Sequence, residues 1–499
     1  DVVVLEDLGG GGSDEGRGMM ELIFDTAPGA DQIFHTAFLG QANFAQGIID
    51  LQNAGADIIV DDVFYFAEPF FQDGIIAQAV DQVVENGALY FSSAGNSGRD
   101  SWEDGFRASA ETISGITGTL HDFDSGAGDD ARMSITLADG GSVLLSFQWD
   151  EPFAAAGGAG AASDVDIFLL EAGTDTIVAA SAADNIANGD PVEIFSFTNT
   201  SGSTQNYDIV ISLFAGAAPG LMKFIDFDGV ATYNEYFTFS STVVGHSNAV
   251  GANAVGASAF FFTPEFGQTP PILNNFSSFG TTPILFEDDG TRLMAEEVRT
   301  GPVFTAPDGG NTTFFGSDSG ADADVFPNFF GTSAAAPNAA AAAALLKEAV
   351  PEATNAQIIQ ALSETAIDIR QTSDGVILAE GDDEGSGTGL IQVDDAIMLL
   401  MEIVNPLNDA PVAQDDDVST DEDTVLNGNL FTDNGDGIDF DPDGDPITVL
   451  SVNGVEASVG QEITLLSGAL LTVNADGTFT YDPNGQFEFL AADESTTDE

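Results

Sequence analysis

At 499 residues the chain is too long for one small domain, and roughly 100–200 residues per domain predicts two to four domains. Its 82 acidic and 9 basic side chains give a formal net charge of −73, which excludes nucleic acid and anionic lipid as main partners because both need a basic surface. Cysteine is absent, which excludes disulfides and thiolate chemistry, while a 43% hydrophobic content with 39 Phe predicts folded cores.

The first hundred residues alternate between short apolar runs and helical periodicity. Strands are expected at 2–5, 33–38, 58–60 and 88–91, and helices at 18–24, 45–54 and 75–84. This alternation predicts an α/β fold with a doubly wound parallel sheet. Ligands of such sheets bind beyond the carboxyl ends of the strands.

The pattern changes near Ser101, where Gly-, Ser- and Asn-rich turns begin to separate strand-like runs. We therefore expect an inserted all-β sandwich at 101–245, with 1–100 and 246–404 forming the α/β domain. A polar linker is expected at 405–410, and a second β domain at 411–499, where Lys and Arg are absent. Its strand-like runs are 448–452, 463–466, 470–473 and 478–481.

The chain begins with Asp and has no apolar leader, so we expect it to be a piece of a longer chain. No run of 18 apolar residues exists, and the Ala-rich stretch at 334–346 contains Pro337 and Asn338. A membrane-spanning helix is therefore not expected.

Two short segments could carry chemistry. Residues 331–337 (GTSAAAP) place Ser333 where a turn enters an Ala-rich helix, whose free N–H groups would favour an oxyanion. The alternative is that Ser333 only caps that helix. Residues 92–98 (SSAGNSG) follow a strand, and the amide of Asn96 could donate to an oxyanion or could belong to an ordinary turn.

Together the two segments resemble the motifs of the subtilisin superfamily of serine peptidases. Residues 27–30 (APGA), 276–280 (FSSFG) and 303–309 (VFTAPDG) also resemble segments of that family. The resemblance covers roughly 1–100 and 246–400. It implies a subtilisin-like fold in which Ser333 is the nucleophile and Asn96 an oxyanion donor.

The chain departs from subtilisins at the catalytic histidine, since Glu15 stands where the histidine of their HGTHVAG motif would be. The sedolisins, or serine-carboxyl peptidases, resemble the chain here because they use a glutamate as general base. Their second acid, four residues further on, corresponds to Met19 in this chain. They also have an aspartate at the position of Asn96, so the sequence is intermediate between the two groups.

A partner for Glu15 is needed if a carboxylate is the base. In subtilisins the partner aspartate lies on a strand that would precede residue 1, so the N-terminal strand of the domain is expected to be missing. Within the chain the best candidate is Asp62, which follows an apolar strand; its alternative is a solvated strand end. Weaker candidates are Asp14, Glu21 and Asp25.

A carboxylate base predicts an acid-shifted activity optimum, because an ordinary glutamate pKa of about 4.3 makes a poor proton acceptor at neutral pH. The alternative bases are His35, His121 and His246. None has the flanking residues of a catalytic histidine, and a structural role is expected for each.

The two β regions indicate different chemistry. Residues 163–170 and 190–193 resemble a pre-peptidase C-terminal-like sandwich, and 408–412, 421–424 and 475–481 resemble bacterial cadherin-like modules. Alternating carboxylates suit calcium, which prefers six to eight oxygen ligands. The expected structural Ca²⁺ ligands are Asp439, Asp441, Asp443 and Asp445; the alternative is an acidic turn without an ion.

The sequence therefore predicts a secreted or cell-surface bacterial serine endopeptidase, acting on proteins or peptides through an acyl-enzyme. The expected catalytic residues are Ser333, Glu15, Asp62 and Asn96. Surface or matrix association through the cadherin-like module is expected. The alternative is an inactive peptidase fold within a calcium-dependent adhesin.

Overall fold

The computed structural model describes residues 2–280, 282–404, 410–435 and 437–498. The chain divides into two compact units, residues 1–404 and 405–499. Most of the linker expected at 405–410 lies outside the described residues. Within the described ranges, no helix is long and apolar enough to cross a membrane.

The first hundred residues alternate between strands and helices, as the sequence predicts. The elements are β1 (Val3–Glu6), α1 (Glu15–Thr26), β2 (Ile33–His35), α2 (Gln41–Asn53), β3 (Ile58–Asp61), α3 (Ile75–Glu85) and β4 (Leu89–Ser93). Helix α1 begins three residues before the predicted start. Glycines in the first turn of α1 interrupt the apolar periodicity, so the sequence pattern did not predict this turn. The glycines allow close packing, since a Cβ on Gly16 would lie 2.8 Å from the Phe34 ring.

The inserted region is antiparallel throughout. Its elements are β5 (Ser101–Asp104), β6 (Thr119–Leu120), β7 (Met133–Leu137), β8 (Ser142–Trp149), β9 (Asp164–Glu171), β10 (Ile177–Ser181), α4 (Asn185–Asn188), β11 (Val192–Thr198), β12 (Gln205–Ala215), β13 (Met222–Asp226) and β14 (Thr232–Tyr233). One sheet has the order β10-β9-β12-β7-β14 with β6 on β12, and the other has the order β11-β8-β13-β5. Trp102, Phe147 and Phe224 are buried in the core of this insert.

The α/β pattern then returns. The elements are β15 (Ala252–Ala259), β16 (Ile284–Phe286), β17 (Arg292–Glu297), β18 (Phe304–Asp308), β19 (Gly310–Asn311), β20 (Asn328–Phe329), α5 (Thr332–Ala349), α6 (Asn355–Glu364) and α7 (Val393–Val404). Strands β18, β15, β4 and β3 form one parallel sheet in that order. The predicted α/β fold with a parallel sheet and a β insert is thus confirmed.

Helix α5 packs on this sheet through its alanines. Ala335, Ala336, Ala339 and Ala343 are buried against strand residues such as Phe91. Small side chains let the helix approach the sheet closely, and its N-terminus reaches the carboxyl ends of the strands. The sheet and helix thus bring the two motif segments to one edge.

Strands β1 and β2 form a separate parallel pair. A cavity of about 1880 Å³ is lined by residues of β2, β3, α1, α2 and α5. The strand expected upstream of residue 1 stays a prediction.

The second unit contains a four-stranded antiparallel sheet. Its strands are β21 (Leu426–Asn429), β22 (Glu462–Thr464), β23 (Leu470–Val473) and β24 (Thr478–Asp482), in the order β21-β24-β23-β22. The strand predicted at 448–452 is wrong. Val449 and Val452 pack into the core of this unit, whereas Leu450 between them is 75% exposed, so the run does not follow the alternation of a strand.

Candidate active site

Ser333 is the second residue of α5 and follows a turn that only glycine adopts easily. Gly331 has φ +122° and its N–H donates to Asp308 Oδ2 at 2.7 Å. Asn274 Nδ2 donates to the other Asp308 oxygen at 2.9 Å. Burial raises the pKa of Asp308 to about 7. This buried carboxyl therefore holds the turn that presents Ser333.

The start of α5 offers a free donor beside the serine. The Ser333 N–H has no hydrogen-bond acceptor within the described part of the chain. Free N–H groups at a helix start carry partial positive charge and bind anions. An oxyanion formed next to Ser333 would meet this donor.

Asn96 is held so that its amide nitrogen is available. Its Oδ1 accepts from the Thr332 N–H and from the Thr332 hydroxyl, both at 3.0 Å. A backbone N–H can only donate, so the oxygen must face Thr332 and the NH₂ group must face away. Among the described residues this NH₂ has no acceptor. Asn96 and Ser333 line the same pocket. This pocket therefore has two free donors, the NH₂ group of Asn96 and the backbone N–H of Ser333.

Asp62 follows β3 and lies between Glu15 and Ser333. Burial, then the charges of Glu15 and Asp61, raise the pKa of Asp62 well above its ordinary value, while the nearby Ser333 hydroxyl opposes this rise. Its Oδ2 is buried and has no hydrogen-bond partner among the described residues. The sequence reasoning expected Glu15 next to the serine, whereas here Asp62 lies next to Ser333 and Glu15 lies next to Asp62.

Two of the three weaker acidic candidates have other partners. Asp14 pairs with Arg17 at 3.2 Å, and Glu21 accepts from the Thr313 N–H at 2.7 Å. Met19, at the sedolisin acid position, is buried with Leu22, Phe329 and Ala334.

A buried polar network that the sequence did not reveal adjoins Asp62. His246 lies between Glu68 Oε2 at 2.8 Å and Asp61 Oδ1 at 3.0 Å. Tyr90 donates its hydroxyl to Asp61 Oδ2 at 2.6 Å. Burial lowers the pKa of His246, but Glu68 and Asp61 raise it more, so it ends well above its ordinary value. The imidazolium thus offsets two buried carboxylates, and we call Asp61, Asp62 and Glu68 the β3 acid cluster.

The other two histidines lie elsewhere. His35 contacts the Thr36 carbonyl at 2.7 Å and Glu6 at 3.4 Å. His121 accepts from the Arg107 N–H at 3.1 Å within the insert, and burial followed by the charge of Arg107 lowers its pKa to about 4. Neither has a hydrogen bond to Ser333 in the described ranges.

The carboxylates proposed for calcium lie in what we call the acidic turn, formed by Asp439, Asp441, Asp443 and Asp445. Gln414 N–H donates to Asp439 at 2.7 Å, and Asp441 Oδ1 accepts from the backbone N–H groups of Asp443 and Asp445 at 2.9 and 3.3 Å. Among the described residues, these side chains do not gather into a group of three or more that could hold an ion.

Comparison with known proteins places the chain. The model of the subtilase family matches residues 29–389, and that of the bacterial cadherin-like domain matches 408–499. The Clostridium perfringens CspB protease is 12% identical over 74% of this chain and 73% of its own, with a TM-score of 0.43. The self-cleaved protease domain of PatA is 16% identical over 80% of this chain and 88% of its own, with a TM-score of 0.35. No curated protein sequence gives a significant match.

The subtilase match includes Asp62, Asn96 and Ser333 and begins after Glu15. It covers well over half of the chain, more than the cadherin-like match. This protein therefore belongs to the subtilase family of serine peptidases.

Proposed function

We propose that the protein is a serine endopeptidase in which Ser333 is the nucleophile and the carboxyl pair Asp62 and Glu15 accepts its proton. The observation that carries the proposal is that the Asp62 carboxyl, Asn96 and Ser333 line one pocket. A nucleophile, a proton acceptor and oxyanion donors around one space are the parts that acyl transfer requires.

Ser333 Oγ forms a bond to the peptide carbonyl carbon, its proton passes to Asp62, and the carbonyl electron pair moves onto oxygen. The N–H groups of Asn96 and Ser333 stabilise this oxyanion. Collapse of the intermediate breaks the C–N bond, and the leaving amine takes the proton from the acid pair. Water then hydrolyses the acyl-enzyme with the same pair as base.

Asp62 is the member of the pair that touches the serine, and Glu15 acts through it. Two close carboxyls that share one proton ionise in separate steps, because the first negative charge opposes the second. Glu15 raises the pKa of Asp62 in this way. Activity should therefore be lost at low pH, where Asp62 is protonated, and should rise as pH passes through its raised pKa. Glu15→Gln removes the charge that raises the pKa of Asp62, so it should shift the loss of activity to lower pH, and an unchanged pH profile would contradict the pair.

A fluorophosphonate probe tests the nucleophile directly. The wild-type protein should be labelled on the peptide that contains Ser333, and Ser333→Ala should lose the label together with about six orders of magnitude in kcat. Ser201→Ala, at an exposed serine of the insert, is the control and should keep the label. A wild-type protein that neither labels nor cleaves peptides would overturn the proposal.

An inactive fold within an adhesin is not favoured, since the chain is a subtilase and its pocket has an acid and two free donors beside the serine. The cadherin-like domain is compatible with an extracellular or surface location. We include in the proposal that the protein is secreted, that it associates with a bacterial surface or matrix, and that its substrates are proteins or peptides. Calcium binding by the acidic turn is likewise proposed on donor type alone.

A further inference from the structure

Aromatic side chains form one wall of the pocket that contains Ser333. This pocket has a volume of about 180 Å³, and Phe64, Phe66 and Phe227 line it. Phe64 and Phe66 follow β3 in the α/β domain. Phe227 comes from the insert, directly after β13. The pocket is therefore built by both parts of the unit.

The three rings contact one another. The ring centre of Phe227 lies 4.8 Å from that of Phe64 and 4.9 Å from that of Phe66, with tilted planes. Such spacings are typical of favourable aromatic pairs. Phe66 remains 37% exposed, so the wall has ring surface left for a further apolar group.

The insert also fixes the backbone that carries the two α/β rings. Ser146 Oγ donates to the Phe66 carbonyl at 2.6 Å, and Gln148 Nε2 donates to the Glu68 carbonyl at 2.7 Å. Gln148 Oε1 accepts from the Phe70 N–H at 2.9 Å. Ser146 and Gln148 are fully buried on β8. These bonds hold the loop after β3 against the insert, so the insert positions the backbone that carries Phe66.

The rest of the lining is small and uncharged apart from Asp62. It consists of Ser93, Gly95, Asn96, Ser97, Thr242, Ser278 and Ser333. Within the described part of the chain, no basic side chain lines the pocket. Pockets for whole drug-sized ligands measure about 300–1,000 Å³, so this volume suits a single side chain.

We propose that the inserted β-sandwich is part of the substrate cleft, with Phe227, Phe64 and Phe66 binding an aromatic or large aliphatic side chain of the peptide beside the bond that Ser333 attacks. The inference rests on the proposed function. It makes Phe227 a specificity-determining residue supplied by the insert.

Peptides that differ at one residue beside the cleaved bond test this. Wild-type kcat/KM should favour Phe and Leu over Ala and Lys by about 10–200-fold, the range for apolar pockets. Phe227→Ala should lower kcat/KM for the Phe peptide by about tenfold and change that for the Ala peptide by less than about twofold. Phe214→Ala is the matched control, because Phe214 belongs to the insert, is 55% exposed and does not line the pocket. It should leave the preference unchanged.

The fluorophosphonate reaction separates the two proposals. Phe227→Ala should label at the wild-type rate, because the probe needs the nucleophile but not a peptide side chain. Phe227→Leu keeps an apolar side chain, so it should retain the preference for Leu peptides and lose part of the preference for Phe peptides. Thermal unfolding of both variants shows whether they are folded. A full Phe preference in Phe227→Ala, or a preference of the wild-type protein for Lys, would overturn the inference about the pocket. If the protein still reacts with the fluorophosphonate, the proposed peptidase function stands.

Binding supplies a readout without turnover. Uncleaved Phe and Ala peptides bound to Ser333→Ala should differ in Kd by about tenfold or more, and Phe227→Ala in that background should remove the difference. Equal Kd values would overturn the inference. A wild type that fails to label while the Kd difference persists would overturn the catalytic proposal and keep the aromatic pocket.

Discussion

The β3 acid cluster and the acidic turn use the same residue types to different effect. Asp61 and Glu68 are almost inaccessible and share a histidine, and burial raises the pKa of Asp62. In the acidic turn, Asp443 and Asp445 are exposed. Desolvation disfavours a charge that water would otherwise stabilise. Burial and neighbours, rather than acidic composition, therefore distinguish a carboxyl suited to proton transfer.

The largest expected effect separates the two regions by activity. Asp62→Asn should lower kcat by about 10²–10⁴-fold, the usual contribution of a general base. Asp441→Asn, the matched change in the acidic turn, should leave kcat unchanged. Peptide hydrolysis at equal concentrations of folded protein measures both, and an Asp62→Asn variant within about threefold of wild type would remove Asp62 from the mechanism.

The same variant carries a stability signature. Because folding raises the pKa of Asp62, its contribution to stability is complete below its unfolded pKa and is lost as pH rises through the folded value. Asp62→Asn removes that loss. It should be more stable than wild type in urea at alkaline pH and equal to it in acid.

Removal of the imidazolium should be the next largest effect. His246→Gln leaves Asp61 and Glu68 buried without their cation, at a cost of about 3–5 kcal/mol in the free energy of unfolding. The pKa of His246 is raised, so its contribution is complete below about pH 6.5 and fades as pH rises through the folded value. His35→Gln is the control, since Glu6 beside it is half-exposed. If His246→Gln lowers the free energy of unfolding by less than about 1 kcal/mol at acid pH, the imidazole of His246 is not charged in the folded protein.

Asp308 and Asp441 form a second matched pair, since each accepts backbone N–H groups in a turn. Burial raises the pKa of Asp308 to about 7, so wild-type stability should fall between about pH 4 and 7 by at most about 4 kcal/mol. Asp308→Asn should flatten this slope, and Asp441→Asn should not. Equal slopes of stability against pH in the wild type and both variants would contradict the raised pKa of Asp308.

Calcium gives the smallest expected effect and concerns only the second unit. Weak extracellular sites have Kd values of about 10⁻⁴–10⁻³ M, so 10 mM Ca²⁺ should stabilise this unit by about 1.4–2.7 kcal/mol. Calorimetry with Ca²⁺ or Mg²⁺ measures the shift, and Asp441→Asn should abolish it. An unchanged transition would make the region an acidic turn without an ion.

Local sequence predicted the elements that carry Ser333 and Asn96, because a glycine turn, a serine and an alanine run leave a readable pattern. It did not predict the pairing of Asp61 and Glu68 with His246, which lie about 180 residues apart in the chain. Such contacts depend on how the insert returns the chain to β15, and no local periodicity encodes that. The pattern also missed β21, whose residues 426–429 read LNGN and lack apolar alternation.

The position of the insert has a consequence for folding. Strands β4 and β15 pair directly, Tyr90 opposite Ala252, although the whole β-sandwich lies between them in the chain. Closing so long a loop carries an entropic cost that a folded insert removes, since β5 and β13 near its two ends pair with each other. We therefore expect the sandwich to form first and the parallel sheet to assemble across it. The order of synthesis favours the same sequence of events, because the ribosome completes the insert before β15 emerges.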